Sequence, residues 1–219
     1  LLNPVSYAEF SIYPKLVIPG QLEQTVANIA AQPTLFLVAA FCYLISFIGD
    51  VVIAWALYVL LAPVNAAVSL LAAWFRLIYA AMALTAWLNL VVVYRLVTTP
   101  EYRSVFGARP LGAQIDLHLH TFRYGWSLSL LIFGSHLLLV GALIFRSAYV
   151  PRILGVILAI DGLAWIVSVL QPYFYPNANV GFLFVAYFGE LLFMLWLLIM
   201  GWRVPEPPIA HPQSDPARS

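Results

Sequence analysis

Five stretches of this sequence are apolar for long enough to cross a lipid bilayer, and each carries a single ionisable side chain deep inside it. A hydrocarbon layer about 30 Å thick takes roughly 20 helical residues to cross. The runs 35–61, 66–94, 124–145, 153–170 and 180–202 meet that length, with Asp50, Arg76, His136, Asp161 and Glu190 as their respective interruptions. In lipid the backbone must satisfy its own N–H and C=O groups, and continuous rather than alternating apolar runs select helices over a barrel. The apolar start through Phe10 reads as the end of a further helix beginning upstream of Leu1. The expected fold is therefore all-α, a polytopic transmembrane bundle of six helices with the first truncated at its N-terminus.

Composition agrees. The chain is 63% hydrophobic and 9% charged, against roughly 25% charged for an ordinary soluble domain. A net charge of +1 with scattered arginines gives no electrostatic footprint for nucleic acid. One cysteine, Cys42, excludes an internal disulfide and any paired-thiolate metal or redox motif.

Pro63 and Asn65 end one run and Pro151 separates Arg146 from Arg152, so both connections read as tight hairpins. Segments 14–33 and 98–112 read as the longer polar loops, and Tyr173, Phe174 and Tyr175, bracketed by Pro172 and Pro176, as an aromatic loop at headgroup level. Residues 1–204 form one transmembrane domain in this reading, and 205–219, with five prolines, a disordered tail. Positive charges nearly tie between the two faces; Arg146 and Arg152 in a short loop tip the C-terminal side towards the cytoplasm.

At 1.5 Å rise per residue, the five buried ionisable groups lie about 14 to 20 Å from the ends of their runs, near the bilayer midplane. Each costs about 2.5 to 3.5 kcal/mol there unless it faces a partner, so they should converge. Three carboxyls, Asp50, Asp161 and Glu190, face one permanent cation, Arg76, with His136 beside them. That surplus points to a proton or small-molecule ligand. The same five residues also fit a static polar cluster that fixes helix contacts, and the residues alone leave both readings open.

Other chemistries find less support. Asp116, His120 and Arg123 share a helical face, but Arg123 to Arg146 already spans about 34 Å, so they read as a solvated first turn with Asp116 favouring the helix N-terminus. Only His136 is deep, which argues against bis-histidine haem and zinc sites. Ser135 adjoins His136 in sequence and so points elsewhere on the helix. No catalytic residue, cofactor or metal is expected, and the residues favour a non-enzyme. Ala72, Ala73, Ala80, Ala83 and Ala86, with Gly155, Ala159 and Gly162, permit close helix packing. A homo-oligomer or a membrane partner subunit stays open.

Several stretches carry a resemblance: Ala8-Glu9-Phe10 with Lys15 to Gly20, Gly49-Asp50-Val51-Val52, Pro63-Val64-Asn65, Phe75-Arg76-Leu77, Phe133 to Leu137, Phe145 to Val156, and Gly189-Glu190-Leu191. Together they resemble a bacterial family of six-helix membrane proteins known as a domain of unknown function, number four-three-eight-six. The resemblance covers nearly the whole chain and implies a bacterial cytoplasmic (inner) membrane and no particular activity. Glu9, Asp50, Arg76, His136 and Glu190 match its polar positions. Asp161 departs from the pattern, as do Ala62 and Ala66, where basic residues are expected.

Overall fold

The structure, a computed structural model, describes residues 4–203; the Pro-rich segment 205–219 lies outside the described residues. All regular structure among them is helical. The chain opens with α1 (Pro4–Tyr7), a π-helical stretch (Ala8–Ile12) and α2 (Tyr13–Leu16), which run on from one another. Ala8, Ile12 and Leu16, four residues apart, form the buried stripe of this segment.

Five helices are long and apolar enough to cross a membrane: α4 (Pro33–Leu61), α5 (Ala66–Thr98), α7 (Ala108–Arg146), α8 (Arg152–Phe174) and the stretch Gly181–Met200, which ends in α9 (Phe188–Met200). The protein is a multi-pass membrane protein built as a helical bundle. The two polar segments read as loops each contain a helix, α3 (Leu22–Ala31) and α6 (Pro100–Phe106). Thr25 and Ile29, one turn apart, bury one side of α3, a periodicity masked by the surrounding Pro, Gly and Gln residues. The aromatic loop is likewise partly helical, because α8 runs through Pro172 to Phe174.

Local chemistry sets the connections. Pro33 opens α4, where its missing N–H costs nothing. Asn65 caps α5 by accepting a hydrogen bond from the Val68 N–H at 3.0 Å. Ser69 Oγ donates to the Tyr58 carbonyl and Tyr149 OH to the Leu60 carbonyl, tying both hairpins together. The hairpins 62–65 and 147–151 mark one face of the bundle; α3, α6 and the first turns of α7 mark the other.

The bundle is laid out with α5 between α4 and α7, α7 between α5 and α8, and α9 against α8. Along the α5–α7 seam the alanine ladder Ala80, Ala83 and Ala86 is buried, and a Cβ on Gly125 would lie 2.9 Å from the Ala86 Cβ. At the α7–α8 seam two glycine pairs meet. A Cβ on Gly162 would lie 2.5 Å from the Gly134 carbonyl oxygen, and one on Gly141 would lie 2.6 Å from that of Gly155. Backbones approach there because neither helix carries a side chain at the crossing.

α7 has 39 residues, about 58 Å at helical rise, so its first turns stand beyond the hydrocarbon layer. The spacing from the apolar run puts Asp116 in the first turn of its helix, and the structure corrects this: the helix begins at Ala108, more than two turns earlier, so Asp116 is beyond the reach of the terminal dipole.

Candidate functional site

The five lone ionisable residues lie on five successive spans at matching heights, each about 14 to 16 Å from the hairpin face by helical rise. Arg76 on α5 is the hub and is 3% exposed. Its Nε and Nη2 both donate to Asp50 Oδ1 on α4, at 3.0 and 2.6 Å. Nη2 also donates to Glu190 Oε1 on α9 at 2.9 Å. The guanidinium lies 5.2 Å over the ring of Phe133, a cation–π contact that strengthens with desolvation.

His136 on α7 fills the remaining side of the arginine. Its Nδ1 lies 2.8 Å from the Ala72 carbonyl and its Nε2 3.2 Å from Arg76 Nη1. A carbonyl only accepts and a guanidinium only donates. The ring is therefore the neutral Nδ1–H tautomer, donating to Ala72 and accepting from Arg76, with both nitrogens committed.

Asp161 on α8 sits to one side of this hub. It is fully buried, with Trp165 of its own helix beside it; Oδ2 accepts from the Glu190 backbone N–H at 3.0 Å, while Oδ1 has no hydrogen-bond partner among the described residues. Gly189 permits the approach, since a Cβ there would lie 3.0 Å from both the Asp161 Cβ and its Oδ2. Asp161 thus holds the backbone of Glu190 while Arg76 holds its side chain. The Glu190 side chain is 39% exposed, against 12% for Asp50. Beside these, Tyr187 stacks on Trp165 at 4.0 Å between centroids and shares a hydrogen bond with Ser168, anchoring the entry to α9 on α8.

Asp50, Arg76, His136 and Glu190 are brought into direct contact, and Asp161 joins them through one backbone N–H. Among the described residues no cluster of three or more His, Cys, Asp or Glu side chains suits a metal ion. Ser135 Oγ donates to the Leu131 carbonyl of its own helix, away from His136.

A second charge cluster escapes the sequence reading. Arg123 Nη1 donates to both carboxylate oxygens of Glu9, at 2.8 and 2.9 Å, and Tyr43 OH donates to Glu9 Oε1. The Arg123 guanidinium lies 4.0 Å over the Tyr13 ring. Arg123 and His136 are separated by about 20 Å along α7, so this pair lies near the opposite boundary of the layer. The signal available for it was Glu9 alone among apolar neighbours; nothing local marked Arg123 as its partner.

A family model described as "Domain of unknown function (DUF4386)" matches residues 5–201. An uncharacterized protein of Archaeoglobus fulgidus is 30% identical over 175 residues, which cover 80% of this chain and 90% of that protein. The relative is archaeal, so the likeness is not confined to bacteria. No solved structure matches the chain.

Proposed function

Because the chain belongs to the domain-of-unknown-function family DUF4386, whose description carries no activity, we propose its function from the charge centre: a transporter-like membrane protein that binds a proton, or a small ligand carrying one, at Asp161 and Glu190 beside Arg76. The carrying observation is the unpartnered Oδ1 of fully buried Asp161. With His136 neutral, three ionised carboxylates against one guanidinium leave two uncompensated negative charges in a medium that does not tolerate one. A proton on the Asp161–Glu190 pair halves that excess.

The same residues couple the proton to movement. α9 packs against α8 and is tied to α5 by the Glu190–Arg76 ion pair. Neutralising Glu190 dissolves that pair, and neutralising Asp161 weakens its hold on the Glu190 N–H. Either event frees α9 on its Arg76 side. Of the two carboxylates on Arg76, Glu190 is the less buried. We place the protein in a cytoplasmic membrane, the setting for helical rather than barrel spans.

A second reading, a static clasp without proton exchange, draws on the satisfied Arg76 donors. Proteoliposomes under an imposed pH gradient separate the two. Proton flux, or a pH-dependent change in α9 accessibility, is expected for the wild type and lost in Glu190→Gln and Asp161→Asn. Wild-type behaviour in both variants would overturn the proposal. Lowered unfolding resistance with no wild-type flux would establish the clasp.

A further inference from the structure

The face opposite the hairpins holds a cavity of ≈ 580 Å³ between α7 and the turn that joins α2 to α3. Its size falls within the roughly 300–1,000 Å³ typical of small-molecule sites. One wall is the hooked turn, fixed by Gly20 at φ +73° and by the Ile18 N–H donating to Thr25 Oγ1 at 2.9 Å. The other wall is α7, which contributes Asp116, His120 and Arg123 with Leu119 among them. The cavity lies about 20 Å along α7 from the midplane histidine. That is headgroup depth for a layer whose hydrocarbon half is about 15 Å.

We propose that this cavity holds the headgroup of a phospholipid bearing a primary amine, a phosphate ester with an ammonium group. The three α7 residues sort by hydrogen-bonding sense. His120 Nδ1 lies 3.0 Å from the Asp116 carbonyl, so it donates there, and in its neutral form the ring leaves Nε2 as an acceptor. The Asp116 carboxylate, 3.4 Å from the imidazole, is a second acceptor at the same level. Both fit a group with several N–H donors. Arg123, with a third of its side chain exposed and only Nη1 serving Glu9, supplies the cation and fork that a phosphate takes.

The order along the helix matches the ligand. Asp116 and His120 lie outward, and Arg123 lies about 4 to 10 Å deeper by helical rise. An aminophospholipid in a leaflet carries its amine level with or outside its phosphate. Leu119, between Asp116 and His120 on α7, lines the same cavity and suits the methylenes of the headgroup. A purely anionic headgroup meets Asp116 unfavourably and must compete with Glu9 for Arg123. A choline headgroup offers no N–H to the two acceptors.

Native mass spectrometry of the full chain, loaded with equimolar phosphatidylethanolamine, phosphatidylcholine and phosphatidylglycerol of one chain length, tests this. Retention of the first is expected to exceed the others by about tenfold, the value of one charge-assisted hydrogen bond. Asp116→Asn removes that preference while the unfolding transition stays in place, because the Asp116 side chain is half exposed. His120→Phe serves as the second variant with the same expected loss. Equal retention of the three lipids, or an unchanged preference in both variants, overturns the proposal. Equal displacement by free phosphoethanolamine overturns the lipid assignment in favour of a soluble phosphate ester.

Discussion

Arg76→Met keeps an unbranched apolar stem and deletes the charge, so it isolates what the guanidinium does. The arginine makes three charge-assisted hydrogen bonds to Asp50 and Glu190, each worth about 1.5 to 3 kcal/mol taken singly. They are not additive, because Nη2 serves both carboxylates and Asp50 Oδ1 takes two donors. Asp50 takes two of the three hydrogen bonds and is the more deeply buried carboxylate, so the cost falls mainly on Asp50. The expected loss is about 3 to 5 kcal/mol, the range for stranding one member of a buried ion pair. Asp50→Asn removes the stranded charge, so Arg76→Met with Asp50→Asn should be less damaging than the two single losses together by about 2 kcal/mol. Reversible denaturant unfolding in mixed micelles measures all four corners of this cycle. Additivity within about 0.5 kcal/mol, or a loss below about 1 kcal/mol for Arg76→Met, refutes the hub.

Gly162→Ala forces the α7 and α8 backbones apart, since the new Cβ would stand 2.5 Å from a carbonyl oxygen; a loss of about 1 to 3 kcal/mol is expected in the same unfolding assay, whereas Gly49→Ala, where a Cβ meets nothing within 4 Å, should not destabilise. Glu9→Gln leaves Arg123 with a neutral acceptor, and the partial exposure of the pair limits the expected loss to about 1 to 2 kcal/mol. That loss should shrink in 1 M salt, where the screening length is about 3 Å, while the Arg76→Met loss stays constant; equal salt response of the two would contradict their different depths.

The individual ionisable residues were legible because lipid makes each one expensive, and helical rise alone placed all five at one height. Their connections were less legible. That Arg76 divides Nη2 between Asp50 and Glu190 depends on where α9 comes to rest, which no spacing within one helix reveals. The glycines show the same limit. Gly155, Ala159 and Gly162 marked one surface of α8, yet Gly134 and Gly141, seven residues apart like Gly155 and Gly162, disclose the crossing only when the two helices are set antiparallel. Arg123 was assigned to a solvated first turn on length, whereas α7 begins at Ala108 and the side chain is paired; its pairing with Glu9 was hidden because the partner comes from more than a hundred residues earlier. α3 and α6 were missed because Pro, Gly and polar residues were counted as breakers; in α3 the buried pair Thr25 and Ile29 is enough to make a short helix, whereas the described side chains of α6 are exposed.

Asp161 illustrates how a residue outside the resembling pattern can still enter the same physics. It makes no contact with Arg76 among the hydrogen bonds and ion pairs formed, yet it holds the Glu190 N–H while Arg76 holds the Glu190 carboxylate. Two groups on opposite sides therefore act on one residue of the most weakly packed span. A carboxylate at Asp161 strengthens that backbone contact from the α8 side, while Arg76 holds the carboxylate of the same residue from the α5 side. The two attachments of α9 meet on a single residue, and Gly189 is the position whose missing side chain lets them share it.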